Sequence, residues 1–116
     1  MLRILTWNDS GPVKVHAAKL HEVLATGNCT WVDITGPDEP EAALMRDVFH
    51  FHPLAIEDTR NQHQRPKVEE YPNHLFLILN PGALAEGECA FRELDVFVAD
   101  HVVVTVHPHR EPAAGE

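Results

Sequence analysis

The sequence predicts a single α/β domain with a mixed parallel and antiparallel sheet flanked by helices. Its 116 residues are the size of one domain, and a hydrophobic content of 44% can supply a small core. The first half alternates strand-like segments with apolar stripes of helical period, whereas the segments from Lys67 onward have the period of strands. We therefore expect a parallel pair of strands near the N-terminus, joined by a right-handed crossover, and antiparallel hairpins after it.

The first strand is expected at residues 2–7 and ends at the turn residues 8–12, Asn-Asp-Ser-Gly-Pro. A helix is expected over residues 16–27, because apolar side chains recur there at three- and four-residue steps. Gly27 is suited to the C-terminal stop of this helix. These elements would form the first strand and the crossover of the parallel pair.

The next strand is expected over residues 30–36, which combine β-branched and aromatic side chains. A second helix follows, and its start is marked by Asp38 and Glu41, which have the spacing of a capping box. Pro53 begins a separate short helix, since the residue before a proline disfavours helical geometry. Three helices are therefore expected before the run of strands.

The second half is expected to consist mainly of strands. Val68 should start the sheet with Tyr71, while the charged residues around them stay in water or pair across strands. Residues 81–90 have the composition of a polar loop, and residues 108–116 that of a disordered tail, so the folded domain should comprise residues 1–107. The expected strands are residues 67–71, 74–80, 91–100 and 101–107.

The composition argues against several functional classes. A formal net charge of −9 is unfavourable for a nucleic-acid partner, which needs a basic surface. The sequence shows neither a signal peptide nor an apolar run long enough to span a bilayer. Ser10, the only serine, lies in a turn, and no glycine-rich phosphate motif is present, so we do not expect an enzyme. Cys29 should be a buried, reduced structural cysteine.

Nine histidines are many for a chain of this length. His50 and His52 are two positions apart and could share a Zn²⁺ ion, as could His107 and His109. Their places at a helix end and in the tail explain them without a metal. Histidines gathered in one cleft beside the aspartates would instead indicate a metal-dependent hydrolase. The aspartates in question are Asp33 and Asp95.

Glu57 and Asp58 lie at the end of the third predicted helix. They are about 100° apart on its surface, so they cannot both face the core. Their oxygens suit Mg²⁺ or Ca²⁺, but one or two carboxylates bind Mg²⁺ weakly because the ion keeps most of its water. The local sequence alone favours an exposed ion pair with Arg60 or Arg65.

A longer sequence pattern favours a divalent-cation site at Glu57 and Asp58 over a simple ion pair. Residues 52–79, HPLAIEDTRNQHQRPKVEEYPNHLFLIL, contain an HPL-x-x-ED segment and then QRPK-x-E-x-Y before an apolar strand. This stretch closely resembles the cytoplasmic N-terminal domain of CorA-type magnesium transporters. WVDITG (residues 31–36) and ELDVFVADHVVVTVH (residues 93–107) are similar to further strands of that domain. The pieces occur in the order of the family, and the likeness covers residues 30–107.

The resemblance implies a regulatory domain on the cytoplasmic face of the cell membrane, in contact with neighbouring subunits of a homopentamer. The family's stalk helix, membrane helices and Gly-Met-Asn signature are not in this sequence, so the chain is expected to end before the stalk. In the family, divalent ions bound between neighbouring domains hold the pore closed when cell Mg²⁺ is high. Carried over to this chain, Asp58 binds such an ion and Glu57 contributes to a second.

Two alternatives stay open at this point. One is a domain of a zinc-transporting relative in the same superfamily, although QRPKVEEY is more similar to the magnesium branch. The other is a free-standing soluble domain that mediates protein contacts. Selectivity among Mg²⁺, Co²⁺, Ni²⁺ and Zn²⁺ would lie in the pore. We expect the isolated chain to be a monomer or weak dimer with weak or undetectable Mg²⁺ binding, because the partner ligands lie mainly on downstream helices.

Overall fold

The structure is a computed structural model that describes residues 2–60, 65–79 and 93–107. The predicted loop at 81–90 and the predicted tail at 108–116 lie outside these residues. The described elements are, in order, β1 Leu2–Asn8, β2 Gly11–Val15, a 3₁₀ turn Ala17–Lys19, α1 Leu20–Ala25, β3 Thr30–Thr35, α2 Glu39–Asp47, α3 Pro53–Arg60, β4 Lys67–Tyr71, β5 His74–Leu79, β6 Leu94–Ala99 and β7 Val102–His107.

The strands form one sheet in the order β2-β1-β3-β7-β6-β5-β4. Strands β3 and β7 pair in parallel, and every other neighbouring pair is antiparallel. The prediction of a mixed sheet with C-terminal hairpins is therefore confirmed. The predicted parallel pair at the N-terminus is wrong, because β1 and β3 run antiparallel.

The reason for that error is the extra strand β2. The Asn8 side chain accepts a hydrogen bond from the Ser10 amide at 2.8 Å, and Gly11 has φ +102, so the residues predicted as a simple turn begin a hairpin. Pro12 is tolerated because β2 is an edge strand. Helix α1 therefore connects β2 to β3, which lie on either side of β1 and run in the same direction.

The helix starts and stops follow local signals. The Asp38 amide donates to Glu41 Oε1 at 2.8 Å, which confirms the capping box of α2. Helix α3 begins at Pro53 as predicted, and Gly27, with φ +76, follows the end of α1. The predicted helix at 16–27 is shorter than expected, since its first residues form the 3₁₀ turn.

All three α-helices pack against one face of the sheet, which we call the inner face. Helical and strand residues form a single apolar cluster there, with Met45, Phe76 and Phe97 fully buried. The opposite, outer face carries partly exposed apolar side chains that include Trp31. Val68 lies in β4 as predicted, although its side chain is 66% exposed. The burial prediction was wrong for Cys29, which is exposed. Among the described helices, none has the length and hydropathy to cross a bilayer.

Candidate functional site

Helix α3 carries both predicted ligand residues. Its Ala55, Ile56 and Thr59 are buried against the core. Helical spacing then leaves the Glu57 side chain exposed and the Asp58 side chain half-buried. Only Asp58 is therefore positioned to contact both its own domain and a group outside it.

Asp58 already has a cationic partner, which is Lys67 at the start of β4. The Lys67 Nζ donates to Asp58 Oδ2 at 2.8 Å and lies 3.4 Å from Glu69 Oε1. The hydrogen bond to Asp58 raises the pKa of Lys67 above its ordinary value. The side chains of Lys67 and Asp58 remain 35% and 22% exposed. Arg60, one of the two predicted partners, pairs instead with Glu39 at 3.4 Å.

Two acids are buried close to this ion pair on the inner face. Asp95 is fully buried and Glu93 is 3% exposed. When both are ionised, neither Asp95 oxygen has a hydrogen-bond donor among the described residues. Burial, a hydrogen bond to Glu93 and the charges of Glu93 and Asp58 raise the pKa of Asp95 from 3.8 to about 9. At neutral pH the Asp95 carboxyl is therefore protonated and can donate to Glu93.

We refer to Asp58, Lys67, Glu69, Glu93 and Asp95 as the acidic corner. Within residues 2–60, 65–79 and 93–107, no group of three or more histidine, cysteine, aspartate or glutamate side chains is arranged to hold a metal ion. The arrangement can offer a cation the carboxylate of Asp58, and the remaining ligands would have to be water or groups outside the described residues.

The position of Asp58 relative to Lys67 is fixed at the start of α3. His52 Nδ1 accepts the Leu54 amide at 3.1 Å and so caps the helix. The His52 amide in turn donates to His74 Nε2 at 3.4 Å, and the His52 ring stacks on Tyr71 with centroids 4.5 Å apart. These contacts join α3 to the β4–β5 hairpin, which carries Lys67.

The turn of the hairpin adds a second link. Asn73 Nδ2 donates to the His50 carbonyl at 3.0 Å, and Asn73 Oδ1 lies 2.7 Å from His74 Nδ1. Burial lowers the pKa of His74, which keeps its ring neutral and able to accept from the His52 amide. His52 and His74 are thus structural linkers, whereas His50 contributes its backbone carbonyl, and both linkers lie within residues 52–79, the stretch that carries the family resemblance.

Asp33 lies on the outer face and is not part of the acidic corner. Its carboxylate accepts hydrogen bonds from Arg3 at 3.1 Å, Thr105 at 2.6 Å and His107 at 2.6 Å. Burial opposes ionisation, but the hydrogen bonds from His107, Thr105 and Arg3 outweigh it and lower the pKa of Asp33 to about 2. Among the described histidines only His107 is bonded to Asp33, so the histidine cluster that would indicate a hydrolase is not formed there.

Sequence comparison identifies relatives. A family model described as "CorA-like Mg2+ transporter protein" matches residues 27–116. The protein YfjQ of Bacillus subtilis is 45% identical over 82 residues, which are 71% of this chain and 25% of that protein. The "Cobalt/magnesium transport protein CorA" of Thermotoga maritima is 43% identical over 51 residues, which are 43% of this chain and 14% of that protein. The chain thus spans a quarter or less of either relative.

Structural comparison agrees on the fold. The complete CorA magnesium transporter from Methanocaldococcus jannaschii superposes with a TM-score of 0.68 at 13% identity, covering 99% of this chain and 34% of that chain. The soluble domain of the same transporter gives a TM-score of 0.65 at 13% identity, covering 97% of this chain and 43% of that chain. The seven-stranded mixed sheet is therefore the fold of that soluble domain.

Proposed function

The chain belongs to the CorA-like Mg²⁺ transporter family, and from that membership we propose that it is the regulatory domain of a divalent-cation transporter. In this proposal it lies on the cytoplasmic face of the membrane and senses intracellular divalent cations where neighbouring subunits of a homopentamer meet. The matched residues are only 25% and 14% of the two relatives, so the transport role is proposed for a longer protein that contains this domain.

The observation that carries the proposal is the position of Asp58. Its carboxylate is half-buried at the end of α3, is bonded to one cation already and keeps 22% of its surface open. A hydrated Mg²⁺ ion could reach that open side and join it to a carboxylate of an adjoining subunit. Without the ion the two carboxylates would repel each other. Bound Mg²⁺ would therefore favour the arrangement in which the subunits are packed together.

Glu57 supports a second, more exposed position. It lies next to Asp58 but on the solvent side of α3. Among the described residues no further carboxylates or histidines are grouped with it to complete a metal site. A single exposed carboxylate binds Mg²⁺ weakly, because the ion retains most of its water. Weak binding suits a sensor of free Mg²⁺ in the cell, and it is consistent with a single domain that binds Mg²⁺ poorly until subunits assemble.

The test is Asp58→Ala in the full-length transporter, reconstituted in vesicles with Mg²⁺ inside. We expect uptake to become less sensitive to inhibition by internal Mg²⁺, with the half-inhibiting concentration raised about tenfold, a change of roughly 1.4 kcal/mol in ion binding. Asp47→Ala is the matched control, because Asp47 is an exposed aspartate whose described partner is its neighbour Arg46. Equal sensitivity of the Asp58 variant and the parent would remove Asp58 from the mechanism.

A further inference from the structure

The ion pair between Lys67 and Asp58 carries a consequence for the proposed sensor. We propose that the Lys67 ammonium is a built-in competitor for the divalent cation at Asp58, so that Lys67 sets the concentration at which the cation binds. This inference rests on the proposed function, because it concerns regulation of the same carboxylate.

The first argument is geometric. Lys67 Nζ lies 2.8 Å from Asp58 Oδ2, which is a charge-assisted hydrogen bond and occupies one of the two oxygens a cation would use. Both side chains are partly buried, so the pair is better shielded from water than a surface ion pair. A divalent ion that binds Asp58 directly must therefore weaken or replace this contact.

The second argument is that Lys67 has another anion to move to. Glu69 Oε1 lies 3.4 Å from the same ammonium, on the same face of β4. Glu69 is itself held by Tyr71, whose hydroxyl donates to Glu69 Oε1 at 3.1 Å. When a cation occupies Asp58, Lys67 can close the short distance to Glu69 without being left unpaired in a partly buried place. The exchange thus needs a side-chain movement and no change of the backbone.

The third argument concerns the size of the effect. A partly exposed ion pair of this kind opposes the competing ion by about three- to tenfold in dissociation constant. A competitor of that strength would shift a sensor by up to one decade of Mg²⁺ concentration. Lys67 would then be a specificity-determining residue as well, because a monovalent ion has less attraction for the carboxylate with which to displace the ammonium.

The chain offers a matched control for charge alone. Arg60 lies two positions after Asp58 on α3 and is bonded to Glu39, with no described contact to Asp58. Removing either cation changes the net charge by the same amount. Direct competition therefore predicts an effect for Lys67 that Arg60 does not share, whereas a general electrostatic field predicts similar effects for both.

The experiment is an NMR titration of the chain with Mg²⁺ to tens of millimolar at constant ionic strength, followed at the Asp58 amide and carboxyl carbon. We expect Lys67→Gln to bind Mg²⁺ about three- to tenfold more tightly than the parent, Lys67→Arg to match the parent, and Arg60→Gln to differ less than twofold. Asp58→Asn should abolish the shifts in each background. Amide spectra without Mg²⁺ verify that every variant keeps the fold.

Three results would overturn the inference. The first is an equal dissociation constant for Lys67→Gln and the parent, and the second is an equal gain in affinity for Lys67→Gln and Arg60→Gln. The third is no shift at Asp58 in Lys67→Gln, since removal of the competitor must expose the carboxylate. The transport assay on Asp58→Ala decides the proposed function separately. A transporter that depends on Asp58 but shows no competition by Lys67 would keep its proposed role and lose only this inference.

Discussion

Asp33 and Asp95 are two buried aspartates on strands of the same sheet, and they have opposite electrostatic properties. Asp33 is 4% exposed on the outer face and its pKa is lowered to about 2. Asp95 is 0% exposed on the inner face and its pKa is raised to about 9. At neutral pH one carboxyl is therefore an anion and the other is an acid, although both are nearly inaccessible to solvent.

The strand register explains the difference. Asp33 lies directly between Arg3 on β1 and Thr105 on β7, and both donate hydrogen bonds to it. Asp95 lies directly between Ile78 on β5 and Val106 on β7, which are fully buried and donate none. Burial disfavours charge at both positions, so the supply of donors decides which carboxyl ionises.

The largest expected effect is for Asp33→Ala. Removal of the carboxylate takes away the acceptor of the hydrogen bonds from Thr105 and His107, which are partly buried, and we expect a loss of about 3 kcal/mol in the free energy of unfolding. Urea denaturation at pH 7 measures it, with Asp47→Ala as the exposed control that should leave the midpoint unchanged. Similar midpoints for both variants would show that the donors around Asp33 contribute nothing.

The pH dependence of the free energy of unfolding, compared between the parent and Asp33→Ala, sharpens this result. The folded-state pKa of Asp33, about 2, is below its ordinary value of 3.8. Its stabilising contribution is therefore present above pH 3.8 and is lost as the pH falls through about 2. The difference in free energy of unfolding between the parent and Asp33→Ala should shrink as the pH falls from 3.8 to about 2, and it should stay constant above pH 3.8.

The next largest expected effect is a gain in stability, and it comes from Asp95→Asn. The folded-state pKa of Asp95, about 9, is above 3.8, so its contribution is fully present below pH 3.8 and is lost as the pH rises through about 9. Asp95→Asn keeps the shape of the side chain and cannot ionise. We expect this variant to be more stable than the parent by about 1–3 kcal/mol at pH 8 and nearly equal to it at pH 4. Urea midpoints at the two pH values measure this, and a less stable variant at pH 8 would mean that Asp95 is a well-paired anion.

Much of the fold could be predicted from local sequence. The capping box at Asp38, the start of α3 at Pro53 and the strand periods after Lys67 are signals within a few residues, and the structure confirms them. Strand β2 was missed because Gly11 and Pro12 are typical of turns, and an edge strand tolerates them. The error in one short strand then reversed the predicted direction of β1 relative to β3.

The site was less predictable, for a related reason. The family resemblance pointed to Asp58, but its partner Lys67 lies on another element and is brought near by the link between His52 and His74. Asp33 and Asp95 have similar local sequences, each with apolar neighbours in a strand, so the sequence alone does not distinguish the anion from the acid. That distinction depends on cross-strand register, which is a property of the folded sheet.

The smallest expected effect comes from Thr105→Val, a nearly isosteric change beside Asp33. The Thr105 hydroxyl donates to Asp33 Oδ1 at 2.6 Å and accepts from Trp31 Nε1 at 2.8 Å, whereas valine keeps the shape and removes both bonds. We expect a loss of about 1 kcal/mol and a rise in the pKa of Asp33 from about 2 towards 3.8, because one of its donors is gone. NMR titration of the Asp33 carboxyl carbon measures the pKa, and Thr26→Val, an exposed threonine bonded to the Val23 carbonyl, is the control. An unchanged Asp33 pKa in Thr105→Val would contradict the view that donor supply, and not depth of burial, separates the two aspartates.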